Sequence, residues 1–205
     1  MPLRLLPGST RRLHGRRPNR SCAAAGPGAA SCRDKLVELL IELDRPGDAG
    51  EAMLGWLGDL ELDALMRAAV LLWEGGRFER SLETVRRVLA KAPDAPRALA
   101  LEAHLLAALG RHEEAIARFL ALLKKSPEDV DLMLALAWSL GRSGDLDEAR
   151  SWLERGWKLA GAQPASRQYL GCVLTGARLE LLASKPSAAR DWLERLTDRS
   201  LAGSD

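Results

Sequence analysis

Through most of the chain, apolar residues recur at helical rather than alternating spacing. Leu65, Ala68, Ala69 and Leu72 line one face of a first amphipathic helix, and Leu82, Val85, Val88 and Leu89 one face of a second. Gly76, followed by Arg77 and Phe78, punctuates the turn between them, and Pro93 closes the second helix because proline cannot continue one. The pattern then repeats. Small residues stand at Ala69, Ala103, Ala137 and Gly171, each 34 after the last, and Leu72, Leu106, Leu140 and Leu174 keep the same interval. Gly76, Gly110 and Gly144 follow it, as do Pro93 and Pro127, with Gly161 at the next equivalent place. In the second helix Ser81, Ala115 and Ala149 are small, and Val85, Phe119 and Leu153, four residues on, are large and apolar. Several columns in one register define a repeated helical hairpin. Small residues facing one another across the hairpin let the two axes approach closely. One hairpin cannot hide its own apolar stripe, so the units must stack, and the predicted fold is an all-α, right-handed superhelical solenoid of helix-turn-helix repeats.

These columns resemble the tetratricopeptide repeat (TPR) family, whose unit is also a 34-residue helix-turn-helix. The family's small first-helix residue corresponds to Ala69, Ala103, Ala137 and Gly171, its turn glycine to Gly76, Gly110 and Gly144. Its small second-helix residue corresponds to Ser81, Ala115 and Ala149, and its closing proline to Pro93 and Pro127. Gly110-Arg111-His112-Glu113-Glu114-Ala115-Ile116 is especially similar to the family's inter-helix turn, and the resemblance covers residues 62–163 best.

Both ends depart from the pattern. Ala149-Arg150-Ser151-Trp152-Leu153-Glu154-Arg155 reappears as Ala189-Arg190-Asp191-Trp192-Leu193-Glu194-Arg195, but 40 residues later instead of 34. The extra six are expected to lengthen the first helix of the fourth unit, which would end near Ala183 before Lys185-Pro186. Upstream, Leu36, Leu39, Leu40 and Leu43 make a first helix, and Ala52, Leu54 and Trp56 a short second one after Pro46-Gly47. The expected organisation is an arm over 1–33, a degenerate opening hairpin over 34–61, about four repeats over 62–199 and a tail over 200–205. Atypical terminal units serve as caps in a solenoid.

The resemblance implies that the first helices line a concave wall. Inward positions are then Asp63, Met66, Arg67, Val70, Trp73 and Glu74 in the first full unit, and Arg97, Ala100, Leu101, His104 and Ala108 in the second. Asp131, Leu134, Trp138 and Arg142 follow in the third, and Gln168, Tyr169, Cys172 and Thr175 in the fourth. Apolar and aromatic groups dominate, rimmed by Arg67, Arg97 and Arg142, as suits docking of an amphipathic helix or extended apolar peptide. The residues expected to contact a partner are Met66, Arg67, Val70, Trp73, Arg97, Leu101, His104, Leu134, Trp138, Arg142 and Tyr169. Chaperone-binding members of the family hold a terminal carboxylate instead. The matching positions here, Met66, Val70, Leu101, Asp131 and Ala135, cannot hydrogen-bond an anion. The competing reading has Trp73 and Trp138 packed against neighbouring helices, the arm or a second copy. Trp152, Trp157 and Trp192 read as structural.

Composition and charge narrow the function. Of 205 residues 47% are hydrophobic and 28% charged, which excludes a disordered or collagen-like chain, and no apolar run is long enough to span a membrane. Residues 1–33 carry seven of the 30 Lys and Arg and no Asp or Glu, so 23 basic side chains face 28 acidic ones in the rest. A body of net −5 repels polyphosphate, and specific nucleic-acid binding is not expected. The Gly-, Pro- and Arg-rich arm reads as disordered, serving as a silent tail, a targeting segment or a contact for an acidic partner. A cytoplasmic location is the expectation, with organellar targeting or export through the arm as the alternative. Three scattered cysteines, Cys22, Cys32 and Cys172, are expected to be reduced thiols.

No catalytic constellation stands out. His112-Glu113 begins like a zinc-protease helix, but Ile116 occupies the place of the second histidine. His104 and Cys172 stand two repeats apart with no orienting carboxylate. No phosphate-binding glycine loop or nucleophile elbow occurs. The chain therefore reads as a non-catalytic protein-binding adaptor without metal or cofactor. The alternatives are a self-assembling homodimer, using the same surface or the lengthened fourth unit, and a chaperone-like subunit of a secretion or larger enzyme complex.

Overall fold

The computed structural model describes the backbone of residues 27–56, 61–161 and 166–200, and side chains over 31–56, 61–161 and 166–196. The expectations for residues 1–26, including the twin arginines, His14 and Cys22, and for the tail over 201–205 lie outside the described residues. Ten α-helices make up the described chain: α1 (Pro27–Glu42), α2 (Pro46–Trp56), α3 (Leu62–Glu74), α4 (Phe78–Lys91) and α5 (Pro96–Ala108), followed by α6 (His112–Lys125), α7 (Val130–Ser143), α8 (Leu146–Ala160), α9 (Arg167–Leu182) and α10 (Pro186–Ser200). They pair into five hairpins, each helix packing on the next and α7 also on α9. The all-α stack of hairpins is thus borne out. The opening helix begins at Pro27 rather than beyond Arg33, since proline at the first helical position is pre-organised for a helix and Ala29 and Ala30 propagate it.

The turns show why the repeat is so regular. In every hairpin the residue two before the second helix adopts a left-handed backbone: Asp44 (φ 54°), Gly76 (71°), Gly110 (76°), Gly144 (106°) and Ser184 (57°). The next N–H then bonds a carbonyl five residues back: Arg45 to Leu40 (2.8 Å), Arg77 to Leu72 (2.8 Å), Arg111 to Leu106 (2.9 Å), Asp145 to Leu140 (2.9 Å) and Lys185 to Glu180 (2.8 Å). This closure satisfies a carbonyl left orphaned at the helix end. Three turns use glycine, which takes a positive φ without steric cost; the two terminal hairpins use Asp44 and Ser184.

Inside each hairpin the small columns meet. Ala69, Ala103, Ala137, Ser81, Ala115 and Ala149 are fully buried, and the Ser81 hydroxyl donates to the Ala69 carbonyl at 2.6 Å. Val85, Phe119 and Leu153 fill the space behind them. Charged clamps tie successive hairpins together. Asp48 on α2 pairs with Arg77, and Glu51 with Arg80 at 3.3 Å. Glu102, buried on α5, lies between Arg86 of α4 (3.6 Å) and Arg118 of α6 (3.2 Å).

The fifth hairpin departs from the 34-residue count differently than expected. Helices α3, α5 and α7 start at 62, 96 and 130, but α9 starts at 167, three residues late. Its partner α10 starts 19 residues on, where α4, α6 and α8 start 16 after their partners. Half of the six-residue excess therefore precedes α9 and half lengthens it. Counted back from the second helix, the small-residue column reaches Ala177, not Gly171, and the leucine column reaches Glu180, not Leu174. Leu174 is 52% exposed. Glu180 instead packs inward, and its two oxygens accept from Arg150 at 2.9 and 3.2 Å.

One cysteine differs from expectation. Cys32 is disulfide-bonded, whereas Cys172 is free and buried. Sequence spacing without a C-x-x-C pair carried no sign of that bond.

Candidate functional site

A groove between α3 and α5 brings most of the expected contact residues together. Met66, Val70 and Trp73 project from α3, Arg97, Leu101 and His104 from α5, and together with Arg67 they line an open cavity of about 900 Å³. The end of α4 contributes Val88 and Ala92. Residues three and four apart share one face of a helix, so Met66, Val70 and Trp73 on α3, and Arg97, Leu101 and His104 on α5, each present one side to the cavity. Seven of the eleven expected contact residues therefore meet in one place.

Trp73 is 38% exposed, the only tryptophan with so open a ring. Its ring stacks on His104 at 6.1 Å between centroids and 18° between planes, and His104 meets Phe119 edge-on at 5.2 Å. Burial pushes the His104 pKa below its ordinary 6.5, and the nearby Asp131 and Asp129 carboxylates only partly oppose this. The imidazole is therefore neutral at neutral pH, an aromatic wall bearing one polar edge. Leu101 forms a nearly buried floor at 6% exposure, while Arg67 and Arg97 remain exposed at the rim.

The other four expected residues lie elsewhere. Leu134 is 7% exposed because α8 and α9 close over it: a Cβ at Gly171 would touch it at 2.9 Å and one at Gly156 at 3.7 Å. Tyr169 is 3% exposed, its hydroxyl donating to the Arg195 carbonyl at 2.9 Å and its ring 5.0 Å from Trp157. Both are packing residues rather than groove wall. Trp138 is half-buried, with the Arg178 guanidinium 3.6 Å from its ring centroid and Arg142 at 5.9 Å, so cations already occupy its faces. Arg142 is exposed beside it, outside the cavity.

Gln168, Tyr169, Cys172 and Thr175 are likewise not the inner face of the fifth hairpin. Only Gln168 among them is exposed; Tyr169, Cys172 and Thr175 turn toward the stack. Leu170, Leu174, Arg178 and Leu181 are exposed in their stead. Counting back from Pro186, rather than forward from Ala137, is the signal that finds them. Trp157 and Trp192 pack edge-on at 5.4 Å with Arg195 over both, and a Cβ at Gly176 would fall within the Trp192 ring.

The chemistry available is that of a binding wall. Cys172 is fully buried, and desolvation pushes its thiol up to about 11, so it is protonated at neutral pH and no nucleophile. Among the described residues no three His, Cys, Asp or Glu side chains converge as metal ligands would, and no helix is long and apolar enough to cross a membrane.

Hairpins stacked in this way define a helical-repeat solenoid, an architecture consistent with a protein-interaction scaffold and typically non-catalytic. The chain belongs to the tetratricopeptide repeat family, whose sequence profile, Tetratricopeptide repeat, matches residues 42–96, 66–117 and 100–164. No curated protein matches it in sequence. Its fold is similar to that of MamA from Desulfovibrio magneticus RS-1, residues 41 to the end, at 12% identity and a TM-score of 0.65, covering 89% of this chain and 100% of that one. It is similar also to MamA of AMB-1 (16% identity, TM-score 0.61, 83% and 98% covered). A candidate kinesin light chain from Podosopora anserina with nearly identical TPR-like repeats aligns at 16% identity and a TM-score of 0.64, covering 89% and 100%.

Proposed function

We propose that this protein is a non-catalytic adaptor that docks an amphipathic helix or extended apolar peptide of a partner protein in the groove between α3 and α5. The observation that carries this reading is Trp73, an open aromatic face held in place by His104 at the mouth of an apolar cavity with arginines at its rim. Exposed aromatic anchors in concave apolar sites are where binding energy concentrates. Arg67 and Arg97 favour a partner segment with acidic flanks, whereas a body of net −5 disfavours nucleic acid. Neither metal nor cofactor enters this reading.

The test begins with capture of partners on immobilised protein and their identification by mass spectrometry. The affinity of the captured segment is then measured by tryptophan fluorescence. Trp73→Ala is expected to weaken binding by about 2 to 4 kcal/mol, and Arg97→Glu to slow association. A partner bound equally well by the Trp73→Ala protein removes the groove reading.

A further inference from the structure

Each position in this solenoid has counterparts in the other hairpins, so burial can be compared column by column. Seven residues into the second helix stand Val85 (0% exposed), Phe119 (0%) and Leu153 (3%); the same place in the last hairpin is Leu193, at 44%. Seven residues before the second helix stand Leu71 (6%), Leu105 (0%), Ser139 (0%) and Leu179 (0%); the same place in the first hairpin is Leu39, at 46%. The internal members are covered by a neighbouring hairpin, as where a Cβ at Gly141 of α7 would collide with Leu179 of α9. Leu43 (65%) extends the open patch at one end, and Leu174 (52%) and Leu181 (59%) at the other. A solenoid end normally carries a polar outer face. Both ends of the described stack instead keep the leucines of an internal junction.

The two ends are also complementary in charge. On α1, Asp34, Glu38 and Glu42 are exposed at intervals of four, one acidic ridge beside Leu39 and Leu43. On α9, Arg178 and Arg167 are exposed, and its one acid, Glu180, is already paired with Arg150. The internal geometry sets the register. Trp138 and Arg178 occupy the same column of successive hairpins and lie 3.6 Å apart. The next member of that column, one step past α9, is Glu38 at the other end of the chain.

We infer that the chain stacks head-to-tail on a second copy of itself: the α1–α2 hairpin of one molecule continues the solenoid on the α9–α10 hairpin of the next, with Glu38 meeting Arg178. The contact uses two different faces and does not close on itself, so it propagates. It is independent of the groove between α3 and α5, and either can fail alone.

Sedimentation velocity of the full chain over a wide concentration range tests this. The mass is expected to rise past twice the 22.3 kDa of one chain. Leu39→Glu with Leu43→Glu blocks one end, and Leu181→Glu with Leu193→Glu the other. All four residues are exposed, so the helical circular dichroism is expected to be retained. Each blocked protein alone is expected to be a monomer, and an equimolar mixture a dimer with nothing larger, because one open end of each kind remains. Glu38→Arg weakens association, adding Arg178→Glu restores it, and Trp73→Ala leaves it unchanged. A wild-type protein monomeric at every concentration, its ends covered by residues outside the described helices or reserved for a foreign chain, overturns the inference. So does a blocked protein that self-associates like wild type, or a mixture that stays monomeric. Should a blocked protein lose its helicity, the charge reversal decides alone: no recovery on pairing Glu38→Arg with Arg178→Glu refutes it.

Discussion

Removing Arg150 tests the reading of the slipped register directly. Glu180 occupies the column filled by Leu72, Leu106 and Leu140 in the preceding hairpins, with only 11% of its side chain exposed. Its charge is tolerated there because Arg150 donates two hydrogen bonds to it, at 2.9 and 3.2 Å. Arg150→Ala leaves a desolvated carboxylate without its cation. Stranding one member of a fully buried pair costs about 3 to 5 kcal/mol. Arg150 keeps 32% of its side chain in water, so screening lowers the expected loss to about 2 to 3 kcal/mol. The hydrogen bonds from Arg150 hold the Glu180 pKa below its ordinary 4.5, with burial opposing. A carboxyl with a depressed folded pKa stabilises fully above its unfolded value, and that contribution disappears as pH falls through the folded value. The cost of Arg150→Ala is therefore largest at neutral pH and shrinks in acid. Glu180→Leu combined with Arg150→Leu restores the leucine column and is expected to regain wild-type stability within about 1 kcal/mol. Urea unfolding followed by circular dichroism at neutral and acidic pH measures all three proteins. Equal midpoints for wild type and Arg150→Ala at neutral pH, or a loss undiminished in acid, would refute the argument.

Two further predictions concern the turns and the groove histidine. Ser184→Gly relieves a positive φ and is expected to add about 1 kcal/mol, whereas Gly110→Ala, forced into the same region, is expected to cost about 1 to 2 kcal/mol; thermal melts of the two variants give the signs. His104, its pKa lowered by burial, stabilises the fold fully above about 6.5, and this is lost as pH falls from there through the depressed folded value. His104→Leu is expected to flatten that part of the stability profile, leaving the contribution of His112, whose pKa is also lowered by burial; identical profiles for the two proteins would contradict it.

The period, the hairpin and the family were legible in the chain because they are local and repeated. Gly76, Gly110 and Gly144 mark turns that require a positive φ, and Ala69, Ala103 and Ala137 mark close approach of helices. Each is dictated by atoms within a few residues or one unit away. The groove of the α3 and α5 hairpins was legible for the same reason, since both obey the 34-residue count and seven of their residues converge as expected. What only the tertiary structure decided is where the count breaks and what neighbours cover. The six extra residues could lie anywhere between Ala149 and Ala189. Packing of Pro186 and α10 against α9 divided them between linker and helix, turning Leu174 outward and Glu180 inward. Leu134, Tyr169 and the cation-covered Trp138 left the groove because α8, α9 and α10 close over them. The open leucines at the two ends have the same origin. Leu193 belongs by sequence to the column of Phe119, but burial in that column comes from a neighbouring hairpin, and α10 is the last helix of the described residues.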